Sequence, residues 1–193
     1  MAMFNPDRIN SQPLTPATAP PGLNPSGQPQ QKVTIRTEGC GQHQRRIVAS
    51  TEIAASPNQV WQVLTDYDNL ASFIPNLSLS QRLRHPQGGI RLEQIGSQCF
   101  LSLRFCARVV IDMVEEFPHR LKFTLVEGDF RQFQGEWQLQ PVSTGLTTCL
   151  IYDLMICPAW GMPIALIEGH ICQDLSRNLQ AISDRALTLS TSF

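Results

Sequence analysis

Between Leu101 and Pro141 the chain alternates apolar and polar residues through three successive runs, and this alternation restricts the fold more than any other feature. Successive side chains of an extended strand point to opposite faces, so a period of two marks a strand with one buried face. From Leu103 through Phe105, Ala107, Val109, Ile111 and Met113 the odd positions are apolar, while Arg104, Arg108 and Asp112 fall between them. The same parity holds through Leu121, Phe123 and Leu125, and again through Phe133, Gly135, Trp137 and Leu139, opposed by Gln132, Gln134, Glu136 and Gln138. Three consecutive strands therefore present one apolar face of a long antiparallel sheet.

The remaining elements supply what covers that face. Arg45–Ala54 reads as a strand with Ile47, Ala49 and Ile53 on one parity. Ser56-Pro57 is a helix start, serine as N-cap and proline at the first helical position, and Val60, Trp61 and Leu64 form the apolar stripe of the helix that follows. A second short helix is expected over Tyr67–Ile74, ending before Pro75 because proline disfavours helical geometry in the residue before it. Leu77–Arg84 and Ile90–Cys99 form a hairpin over Gly88-Gly89, and Leu146–Cys157 is a seventh strand. Met162–Leu187 is one long helix, with Ile164, Ile167, Ile171, Leu175, Ile182 and Ala186 at three- and four-residue spacing and Gly169 as its weak point. The order of strand, two short helices, six strands and one long helix is α+β. A curved sheet of about seven strands around a long helix leaves a gap between them, and a gap of that kind is where a ligand fits.

Composition excludes several functions. Fifteen basic and sixteen acidic side chains give a net charge of -1, and the arginines are scattered along strands, so the basic face expected of a nucleic-acid binder is missing. The six cysteines contain no closely spaced pair of the kind zinc needs, and no metal or cofactor is expected. Phosphate-cradling glycine loops and a serine nucleophile elbow are absent from the sequence. The most apolar run, Leu150–Trp160, is interrupted by Asp153 and Pro158 and falls short of the roughly 20 residues a span requires, so any membrane contact is peripheral. Residues 1–43 hold seven of the fourteen prolines and little apolar surface, the composition of a disordered tail, with the domain over 44–188 and a short tail at 189–193. The expected compartment is the cytoplasm, or the plastid stroma if the N-terminal tail serves as a transit segment. Only Arg8 and Arg36 support the latter.

Three stretches carry a resemblance to a known superfamily. They are SPNQVWQVLTDYDNLASFIPNL, with Pro57, Trp61, Asp66, Tyr67, Phe73 and Pro75; EGDFRQFQGEWQLQP, with Gly135, Trp137 and Pro141; and WGMPIALIEGHICQDLSRNLQAISDRA, with Met162, Pro163, Glu168 and Asn178. Together they resemble the START-like (SRPBCC) helix-grip superfamily, in its polyketide-cyclase/dehydrase and coenzyme-Q-binding branch, and the third is similar to the closing helix of cyanobacterial and plastid members. Coenzyme-Q-binding members carry glycine-proline-phenylalanine where this chain has Gly128-Asp129-Phe130.

The resemblance implies a cavity between sheet and long helix that holds a hydrophobic small molecule such as a quinone, lipid or isoprenoid. Phe73 and Ile74 would stand at its mouth. Large aromatic residues on inward parities, Phe105, Phe123, Phe133 and Trp137, are candidate ligand contacts. So are Trp160 and Met162 in the loop before the long helix, and Ile167, His170 and Ile171 upon it. Binding without catalysis is the leading expectation. The alternative is a cyclase or dehydratase using the same cavity, with His170 or Tyr152 as proton-transfer group, because such an enzyme needs a positioned acid or base.

Overall fold

The computed structural model describes residues 32–41, 43–100, 103–142, 145–159 and 164–190, with backbone alone for 97–100, 103–105, 166 and 190. Among the described residues eight antiparallel strands form one sheet: β1 (Thr34–Gly39), β2 (Arg45–Ile53), β3 (Leu77–Leu83), β4 (Ile90–Phe100), β5 (Leu103–Glu116), β6 (Arg120–Gly128), β7 (Phe130–Val142) and β8 (Thr147–Pro158). Their order is β1-β2-β8-β7-β6-β5-β4-β3, so β3 to β8 form a meander and β2 closes on β8. Helix α1 (Pro57–Thr65) follows β2, and α2 (Ile164–Ser190) ends the described chain. This is the helix-grip arrangement, with a curved sheet holding a long helix.

The alternation has its expected outcome. Val109, Ile111, Met113, Leu121, Phe123 and Leu139 are buried in one core with Ile47, Ile53, Leu154 and Ile156. Helix α2 inserts Ile167, Leu175, Leu179, Ile182 and Ala186 into that core, one stripe at three- and four-residue spacing. Ser56 caps α1 as expected: the Gln59 backbone amide donates to its hydroxyl, and the Ser56 backbone amide donates to the Gln59 side chain at 2.8 Å.

Three expectations are corrected. The segment Thr34–Gly39, read as part of the tail, is an edge strand paired along its length with β2. Only Ile35 of its six residues is partly buried against the core, so its order comes from backbone pairing, which leaves little trace in a hydrophobic pattern. It raises the strand count from seven to eight. The second short helix over Tyr67–Ile74 is a single 3-10 turn, Leu70–Ser72. Polar side chains divert the backbone there: Asn69 donates to Asp66, the Ser72 hydroxyl donates to the Asn69 carbonyl, and Asp68 accepts from the Arg82 amide. Such local bonds compete with helix. The long helix also runs to Ser190, into the stretch read as a C-terminal tail.

Gly169 is exposed on α2, and a methyl group there would meet nothing within 4 Å. Gly169→Ala is expected to raise the unfolding free energy by about 0.8 kcal/mol, read as a higher urea midpoint at unchanged slope.

Candidate functional site

Between sheet and helix lies a cavity of about 580 Å³. Its sheet wall is built by the inward parities: Leu92 and Gly96 from β4, Ala107, Val109, Ile111 and Met113 from β5, Leu121 and Phe123 from β6. Strands β7 and β8 add Phe133, Trp137, Tyr152 and Leu154, and α2 contributes the opposite wall through Ile167, Ile171, Leu175 and Ile182. The third side is the segment after α1, through Tyr67, Leu70, Ile74 and Pro75.

Of the residues singled out from sequence, Ile74, Phe123, Phe133, Trp137, Tyr152, Ile167, His170 and Ile171 all line this cavity. Phe73 does not; its ring packs against the core with the Arg185 guanidinium 5.9 Å from its centroid. The displacement follows from the missing helix, because a 3-10 turn presents successive residues at a different angle. The side chain of Phe105, and Trp160 and Met162 entirely, lie outside the described residues.

The aromatic wall is continuous. Ring centroids are 5.4 Å apart for Phe130 and Phe133, 5.5 Å for Phe133 and Phe123, and 5.8 Å for Phe123 and Tyr152, with Trp137 only 4.1 Å from Tyr152. Phe130 breaks the odd-position parity yet joins this wall, because an irregularity in the β7–β8 register between Phe130 and Gln132 turns it inward. A bulge inserts an extra residue and reverses the side-chain parity beyond it.

A polar cluster faces the same space where the loop before β3 meets α2. Asn76, held at φ 63°, donates to the Asp174 carboxylate at 2.8 Å, and Asn178 donates to the Pro75 carbonyl at 3.1 Å. Asp174 is one helical turn beyond His170, and both line the cavity. Burial pushes the Asp174 carboxyl above the ordinary range, against the Asn76 hydrogen bond and the nearby charges of Arg177 and His170. Asp174 is detectable in sequence only as the residue four beyond His170.

The direction of that shift sets a pH dependence. A carboxyl whose folded-state pKa is raised favours folding most when protonated, and the advantage fades as pH rises from the ordinary carboxylate range through the raised value. Asp112, held low by its hydrogen bonds to Arg91, contributes in the opposite sense and loses its contribution as pH falls. Asp174→Asn is expected to gain stability relative to the parent as pH rises from about 4 to about 7, because asparagine keeps an acceptor for Asn76 without a charge to desolvate. Urea midpoints at the two pH values check this.

Two tyrosines line the cavity with different surroundings. The Tyr67 hydroxyl donates to Glu115 at 2.7 Å, and its backbone carbonyl accepts from the Ser80 hydroxyl at 2.6 Å. Burial, then the Glu115 hydrogen bond and charge, raise its pKa above that of a free phenol. Tyr152 is 8% exposed and is raised by burial alone; its hydroxyl has no hydrogen-bond partner among the described residues.

A family profile described as "Polyketide cyclase / dehydrase and lipid transport" matches residues 53–183. The chain belongs to this family. Its fold is similar to that of the Zhui aromatase/cyclase from Streptomyces sp. R1128, at TM-score 0.64 and 16% identity over 78% of this chain and 98% of that one. It is likewise similar to a STAR-related lipid transfer protein from Xanthomonas axonopodis, at TM-score 0.63 and 15% identity over 88% and 96% of the two chains. A START superfamily protein from Mycobacterium smegmatis gives TM-score 0.62 and 16% identity over 75% and 98%. No curated protein matches the chain. Among the described residues no group of side chains is arranged to hold a metal ion, and no helix is long and apolar enough to cross a membrane.

Proposed function

We propose that the chain binds a hydrophobic small molecule, such as a quinone, lipid or isoprenoid, in the cavity between sheet and α2, and holds it without transforming it. The observation that carries this reading is the cavity of about 580 Å³ itself, lined mainly by apolar and aromatic side chains. Protein cores ordinarily close-pack and leave few voids larger than a water molecule, whereas ligand pockets run to several hundred Å³. Burying about 300 Å² of an apolar ligand contributes on the order of 7 kcal/mol before ordering costs. Titration with the fluorescent probe N-phenyl-1-naphthylamine tests the reading. Saturable enhancement at one site per chain is the expected result, and a linear, non-saturating response contradicts it.

A cyclase or dehydratase acting on a polyketide-like substrate is a second reading, favoured by one arrangement. His170 and Asp174 stand one helical turn apart on the same cavity wall, so two proton-transfer groups face the space a substrate would occupy. A His170→Gln chain that keeps probe binding but loses turnover of a polyketide-type substrate supports it. Failure of the parent chain to turn over any such substrate contradicts it.

A further inference from the structure

We propose that the occupant is a flat, ring-bearing apolar molecule with a carbonyl-type oxygen, which accepts a hydrogen bond from the Tyr152 hydroxyl against the aromatic wall. This deepens the binding reading and rests on it. Tyr152 is more than nine-tenths buried and lines the cavity, yet its hydroxyl finds no partner among the described residues. Buried hydroxyls are ordinarily satisfied, and Tyr67 on the same lining shows what satisfaction looks like, with its hydroxyl 2.7 Å from Glu115. The partner missing at Tyr152 is supplied by what enters the cavity. Burial keeps this phenol protonated at neutral pH, so it is a donor and calls for an acceptor.

The surroundings define the rest of the ligand. Trp137 lies 4.1 Å from the Tyr152 ring, and Phe123 stacks with it at 5.8 Å and an interplanar angle of 20°, so aromatic rings flank the hydroxyl where it meets the cavity. Planar rings gain stacking and edge contacts on such a wall beyond simple area burial. A saturated hydrocarbon chain gains only the area, and without an oxygen it leaves the hydroxyl unpaired.

The test uses the full chain and a matched pair of probes, 9-fluorenone and fluorene, of near-identical shape and differing by a carbonyl in place of a methylene. A ketone also avoids the thiol chemistry that a quinone would bring to the free cysteines. Affinities of both probes for the parent and for Tyr152→Phe are measured by isothermal titration calorimetry. Tyr152→Phe is expected to reduce the fluorenone-to-fluorene affinity ratio about tenfold, with fluorene binding unchanged. Its ligand-free unfolding midpoint is expected at or above the parent's, since no protein hydrogen bond is lost. An unchanged ratio while both probes still bind overturns the role of Tyr152 and leaves the binding reading standing. Binding of neither probe to either protein overturns both. A lowered ligand-free midpoint assigns the hydroxyl a structural partner and also overturns the proposal.

Discussion

Gly135→Ala is expected to lower the unfolding free energy by about 3 kcal/mol. Gly135 sits mid-strand in β7, paired with Phe123 on one side and Leu154 on the other. A Cβ at this position would overlap the backbone carbonyl oxygen of Asp153 and come within 2.8 Å of the tip of the Phe123 ring. Neither neighbour can yield cheaply. The Asp153 carbonyl belongs to β8, which is paired on both flanks, and the Phe123 ring is 4% exposed within the aromatic wall. Relief requires a distorted ladder or a displaced ring. Chemical denaturation shows the loss directly, and a change below about 0.5 kcal/mol would mean that the sheet tolerates the methyl group by local adjustment.

Ala107→Phe is expected to have the opposite profile, with the fold retained and the binding lost. Ala107 faces the cavity from β5 and pairs with Gly96 on β4, so the sheet floor carries two minimal side chains next to each other. A Cβ at Gly96 would touch only the Asn76 and Ala107 carbonyl oxygens, at 3.8 and 3.9 Å, so no side chain crowds this part of the floor within that distance. A phenyl ring there suits a strand and fills the room an occupant would use. Removing about 100 Å² of ligand contact costs about 2.5 kcal/mol, a loss of affinity approaching a hundredfold. The probe titration of Ala107→Phe, set beside its urea midpoint, checks both halves. Retained probe affinity would move the site away from the β4–β5 floor.

The sheet was legible in the sequence because it buries one face, and a half-buried strand writes its parity into every second residue. Met113, Phe123 and Leu139 fall inward on parity alone. The long helix was legible for the same reason at its own period. What escaped the pattern did so for local reasons. The edge strand Thr34–Gly39 is held by backbone pairing and contributes only Ile35 to the core, so nothing periodic marks it. Asp66, Asp68, Asn69 and Ser72 dismantle the expected second helix through side-chain hydrogen bonds that no hydropathy pattern records. Phe130 reaches the aromatic wall only through the register irregularity beside it, and Phe73 leaves the lining once its helix is gone. The polar side of the site was the least visible. Asn76 and Asp174 are 98 residues apart and meet only when the loop before β3 docks on α2.

Native mass spectrometry of the full chain, purified without detergent and followed by organic extraction of whatever is bound, tests the central claim most directly. An apolar molecule at one per chain, lost on denaturation and recovered in the organic phase, is the result the cavity predicts. A chain that arrives empty, and that stays at its bare mass after incubation with excess N-phenyl-1-naphthylamine, would contradict it.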